Sequence, residues 1–140
     1  LNANAYWDHS ERGQVFARAQ LAGASRLDLP FQLTLGGRES VRGYNEDAYP
    51  GRQRLLLTLE ERLAMPALST SFADVGIVGF IDAGQIWAGD VPFGETPGWR
   101  AALGAGLRIG LPAGAPNVLR IDFTAPLTGD RETRGTVFRV

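Results

Sequence analysis

The sequence predicts an all-β, antiparallel fold, and three observations carry that reading. Apolar and polar residues alternate along several long runs, the signature of strands with two unlike faces. Eighteen glycines and eight prolines punctuate those runs, as turns do in β-proteins. Hardly any stretch carries the three-four spacing of an amphipathic helix.

Taken in chain order, Gln14–Gly23 sets Val15, Ala17, Ala19 and Leu21 against Arg18 and Gln20. The segment Ser25–Arg52 follows, far longer than an ordinary hairpin link and therefore expected to be functional or disordered. Gln53–Ala64 places Leu55, Leu57, Leu59 and Leu63 on one face and Arg54, Thr58, Glu60 and Arg62 on the other. Asp74–Trp87 opposes Val75, Ile77, Ile81 and Ala83 to Asp74, Phe80, Asp82 and Gly84. Beyond a polar loop at Asp90–Pro97, Trp99–Leu111 is the clearest case. Its odd positions are all apolar, and its even ones are Arg100, Ala102, Gly104, Gly106, Arg108 and Gly110. A short proline-bounded turn, Pro112–Pro116, leads to Asn117–Ala125, where Leu119, Ile121 and Phe123 oppose Arg120, Asp122 and Thr124. A charged loop, Thr128–Arg134, precedes a last strand at Gly135–Val140. About six strands are expected in all.

Periodicity does not say which face meets water. A β-sandwich or a lipocalin-like barrel turns the apolar face inward, whereas a transmembrane barrel turns it to lipid. Trp99–Leu111 is about twice the soluble mean of ~5–6 residues and reaches the ~9–11 that a tilted membrane strand needs. Long and short connections alternate, as in membrane barrels. Trp87, Trp99 and Tyr6 lie near strand ends, where an aromatic girdle would put them. Length and loop asymmetry favour the membrane barrel.

Charge excludes more than it identifies. With 14 basic and 15 acidic residues the net charge is -1, so neither nucleic acid nor an anionic surface is an expected partner. Every basic residue is arginine, a usage that a GC-rich coding sequence accounts for. The absence of cysteine excludes a disulfide framework and a thiolate metal site. No apolar run approaches the ~20 residues of a spanning helix. The chain begins at Leu1 rather than Met, from which a piece of a longer protein is expected.

Two short motifs carry the chemistry. Val41-Arg42-Gly43-Tyr44 lies in the long loop, and Phe80-Ile81-Asp82-Ala83-Gly84 lies in a strand. Glu60 and Arg62 stand on the strand between them. A loop arginine and carboxylates sharing one face of neighbouring strands suggest a loop tucked into an enclosed space and pinned there. Arginine suits that task because its planar fork grips carboxylate bidentately and never loses its charge. On a surface the same triad would be an ion pair worth ~0–1 kcal/mol.

These motifs, with Gly36-Gly37-Arg38-Glu39-Ser40 before the first, Gly104–Ile109 and Leu119–Leu127 after the second, occur in an order that resembles one family. The chain is similar to the C-terminal part of the bacterial surface-antigen superfamily, which includes the barrel-assembly protein BamA, the translocation-and-assembly protein TamA and the two-partner-secretion transporters. The resemblance covers nearly the whole chain. It implies the C-terminal portion, about six strands, of an antiparallel sixteen-stranded transmembrane β-barrel preceded by periplasmic POTRA domains. It further implies that residues 24–52 or so are loop six, folded into the lumen. Val41, Arg42, Gly43 and Tyr44 then form the loop motif, and Glu60, Arg62, Phe80, Asp82 and Gly84 the wall that receives it. The implied function is assembly or translocation of proteins at the bacterial outer membrane. Its implied partners are membrane lipid, unfolded clients and periplasmic or lipoprotein accessory subunits, with no cofactor. Alternatives from other classes are a soluble ligand-binding β-domain and a non-functional barrel fragment. Two departures stand out. Glu61 falls on the lipid-facing parity, where only an interfacial position is cheap, and the ending Val137-Phe138-Arg139-Val140 lacks a terminal aromatic.

Enzymatic readings fare poorly. Gly104-Ala105-Gly106 precedes no helix, so it is not a dinucleotide loop. His9 is the single histidine and reads as a polar turn residue. Glu60 and Asp82 could pass for a glycosidase pair, but an arginine partner keeps both ionised.

Overall fold

The computed structural model describes residues 1–23, 32–37, 40–114, 117–129 and, for the backbone alone, 137–139. Parts of the long loop, of the charged loop and of the last strand read from the sequence therefore lie outside the described residues.

Alternation produces the expected sheet. Seven strands pair in the order β1-β2-β5-β6-β7-β8-β9, every pair antiparallel. They are β1 (Asn2–Asp8), β2 (Gly13–Gly23), β5 (Gln53–Ala64), β6 (Asp74–Trp87), β7 (Arg100–Gly110), β8 (Val118–Pro126) and β9 (Val137–Arg139). Each long strand pairs with its neighbour in sequence, apart from the loop inserted between β2 and β5. The sheet is open, with β1 and β9 at its edges. Longer connections gather at one end (24–52, 88–99 and 127–136) and tighter turns at the other (9–12, 65–73 and 111–117).

Two elements depart from the sequence reading. β1 is a seventh strand, in register with β2 from Asn2↔Gln20 to Asp8↔Gln14. Its alternation of asparagine and alanine carries too little hydrophobic contrast to be read alone. The loop is also not bare coil. β3 (Leu33–Leu35) and β4 (Tyr49–Gly51) form a small antiparallel ladder, with Leu35 opposite Tyr49. That ladder is a stem, and it holds Val41–Tyr44 at a fixed place over the sheet.

The two faces differ as their residues demand. Leu21, Leu57, Leu59, Ile77, Ile81, Leu103, Leu119 and Phe123, all on odd positions, are exposed. Phe16, Leu56, Thr58, Glu60, Val78, Phe80, Asp82, Ile86, Ala102 and Thr124, all on even positions, are buried. A contiguous apolar outer face of this extent marks a surface that water does not cover in the working protein. The core lies between the loop and the inner face of the sheet. There Leu35, Val41, Tyr44 and Tyr49 from the loop pack on Leu56, Ile86 and Ala102 from the wall. The inner face is thus not purely polar, because Leu56 and Ile86 form a dry floor under the loop.

Candidate functional site: a loop pinned to the inner wall

Arg42 uses its whole fork. Nε donates to Asp82 Oδ2 at 2.6 Å and Nη2 to Asp82 Oδ1 at 2.9 Å, a bidentate grip. Nη1 lies 2.9 Å from Glu60 Oε1, and the Arg42 backbone N–H points at Asp82 Oδ2 from 3.3 Å. Glu60 stands on β5 and Asp82 on β6, and register puts Thr58 opposite Asp82 and Glu60 opposite Phe80. The carboxylates are therefore diagonal neighbours on one face, spaced for a single guanidinium between them.

The site is nearly dry. Side-chain exposure is 14% for Arg42, 11% for Glu60 and 1% for Asp82. Burial works against the Arg42 charge, but hydrogen bonds and attraction from Asp82 and Glu60 outweigh it and hold its pKa above the ordinary arginine value. The guanidinium carbon also lies over the Phe80 ring, 3.5 Å from its centroid, a cation–π contact. Phe80 in turn covers Gly104 of β7, where a Cβ would collide with the ring.

Each expected wall residue has a distinct part. Among the described residues the polar contacts of Arg62 are to Glu60 rather than to the loop. It donates to Glu60 Oε2 from Nε at 2.9 Å and from Nη2 at 2.7 Å, and its fork sits over the Phe16 ring. It thereby turns the other Glu60 oxygen toward Arg42. Gly84 makes room, since a Cβ there would come within 2.7 Å of Val41 Cγ2 and 2.8 Å of Leu35 Cδ1. Val41 is fully buried against it. Gly43 has φ 91°, a left-handed conformation costly for other residues, and its backbone presses on Thr124 of β8. Tyr44 reaches beyond, to the ends of β7 and β8.

Several contributors were not read from the sequence. Thr128 receives the Tyr44 hydroxyl. Leu35 and Tyr49 supply apolar bulk. Their signal was weak because loop residues follow no period. His9 sits in the β1–β2 turn as expected, but its Nε2 lies 2.6 Å from Glu61 Oε1. The outward carboxylate that parity made anomalous therefore has a partner. Among the described residues no group of three or more His, Cys, Asp or Glu could hold a metal ion.

An open antiparallel sheet of long strands, apolar outside and carrying an ion-paired loop inside, is the architecture of an outer-membrane β-barrel wall. The chain matches the Omp85 superfamily domain over residues 2–140 and belongs to that superfamily. Its members are bacterial outer-membrane β-barrel proteins that assemble or translocate polypeptides, and they act as transporters and assembly factors rather than enzymes. No curated protein and no solved structure matches the chain.

Proposed function

We propose that residues 1–140 are the C-terminal part of an Omp85 barrel in which residues 24–52 or so, as loop six, are seated in the lumen through Arg42. The seated loop keeps the barrel in the arrangement that lets it insert client β-proteins or pass client polypeptides across the outer membrane. The single observation carrying this reading is the Arg42 fork shared between Asp82 and Glu60 in a nearly dry site. An ion pair so desolvated is an expensive way to stabilise a fold, which favours a role in holding one defined loop position. Lipid bathes the outer face, unfolded polypeptides are the clients, and periplasmic or lipoprotein subunits assist. The exposed leucines of the odd face count against a soluble ligand-binding domain.

The test is the full-length protein reconstituted in liposomes and challenged with an unfolded outer-membrane client. Arg42→Ala is expected to lower client insertion or translocation at least tenfold while the barrel itself stays folded in the bilayer. Wild-type throughput from a folded Arg42→Ala barrel would overturn the proposal.

A further inference from the structure

The loop motif has a second anchor, and it carries no charge. Tyr44 is fully buried, and its hydroxyl lies 2.5 Å from the Thr128 carbonyl oxygen, 2.9 Å from the Ala101 carbonyl oxygen and 3.1 Å from Thr128 Oγ1. Thr128 Oγ1 also accepts the Ala101 N–H at 3.0 Å and donates to the Trp99 carbonyl at 3.0 Å. The Leu127 N–H closes the same ring of contacts on the Ala101 carbonyl at 2.7 Å. Tyr44 has one proton, and its shortest contact gives that proton to the Thr128 carbonyl; Oγ1, tied to Ala101 and Trp99, holds that carbonyl in place. One threonine thus joins the start of β7, the chain leaving β8 and the tip of the loop.

The two anchors grip different parts of the wall. Arg42 holds β5 and β6, whereas Tyr44 holds the β7–β8 junction. Gly43, between them, lets the backbone turn from one to the other. We infer that Thr128 is a positioning residue that seats the loop through the Tyr44 hydroxyl, independently of the Arg42 ion pairs. The inference rests on the seated-loop reading above and adds to it a residue outside both motifs. Losing either anchor leaves the motif with one polar anchor, beside the apolar packing of Leu35, Val41 and Tyr49 on the wall.

The experiment uses the full-length barrel in detergent, free of other cysteines, with Val41→Cys as reporter. Val41 is fully buried under the seated loop, so a water-soluble maleimide labels it only when the loop lifts. Thr128→Val keeps the shape and removes the hydroxyl. It is expected to raise the labelling rate about three- to tenfold, the weight of one or two net hydrogen bonds. Thr128→Ser, which restores the hydroxyl, is expected to label like the parent. Tyr44→Phe, which removes every contact of the hydroxyl, should label at least as fast as Thr128→Val, and adding Thr128→Val to it should change nothing further, because Thr128 acts on the loop through that hydroxyl. Additive rates would instead assign Thr128 to the local fold of β7 and β8 and overturn the inference, as would parental labelling in Thr128→Val. Should Thr128→Val fail to insert, Thr128→Ala carries the same expectations. Arg42→Ala separates the two readings. Release by Arg42→Ala but not by Thr128→Val rejects only the role of Thr128, and release by neither rejects the seated loop as well.

Discussion

Asp82 is an almost fully buried carboxylate whose charge is balanced by one side chain reaching in from a loop. Removing the partner of a buried charge costs more than the pair contributes, about 3–5 kcal/mol. Arg42→Ala should therefore lower the stability of the full-length barrel by that order, read as a shift in its urea unfolding midpoint. Arg42→Lys should recover only part, since an ammonium keeps the charge but cannot grip Asp82 with two prongs and reach Glu60 together. A lysine variant equal to wild type would mean that charge alone matters. Gly84→Ala tests packing in place of charge. The added methyl meets Val41, Leu35 and Leu56 within 3 Å, and overpacking of this kind costs about 1–3 kcal/mol. Protease cutting in the loop should rise in Gly84→Ala, and unchanged protection would show that the wall yields. At this scale the site was largely legible, because arginine, aspartate and glycine each have few reasons to stand where these do. Thr128 was not, since a threonine after a strand has many.

Among the elements, β7 is the best gauge of which face meets lipid. Its odd residues Leu103, Leu107 and Ile109 alternate with Gly104, Gly106 and Arg108. Single cysteines at Leu103, Leu107 and Ile109 in the membrane-embedded barrel should react with lipid-soluble thiol reagents and resist water-soluble ones. A cysteine at Arg108 should do the reverse. Gly104 is unsuitable as a reporter because Phe80 lies on it. Fast water-soluble labelling at Leu103 would reverse the faces. The strands β2, β5, β6, β7 and β8 follow from alternation within a residue or two of the expected ends. β1 and the β3–β4 stem escaped because their pairing depends on partners elsewhere in the chain. Asn2–Asp8 is a strand by virtue of lying along β2, and Leu33–Leu35 by virtue of meeting Tyr49–Gly51.

For the whole molecule, the open sheet has a consequence for the 140-residue polypeptide on its own. Both β1 and β9 present unpaired backbone groups along an edge, which invites strand addition. Lipid does not tolerate such edges, because nothing there satisfies them, and in water the exposed Leu-rich face drives association. The isolated polypeptide should therefore sediment as heterogeneous oligomers without detergent, whereas a monodisperse monomer would point to a soluble β-fold. The sequence by itself determined the strand parity, the acidic and basic partners and the loop that carries Arg42, because alternation and ion-pair chemistry are local properties written residue by residue. Only the tertiary structure decided that the apolar parity faces out and that the loop covers the other face. It also decided that Leu56 and Ile86 form a dry floor beneath the loop. Those outcomes depend on which distant segments meet, and a two-residue period is the same whichever side is covered.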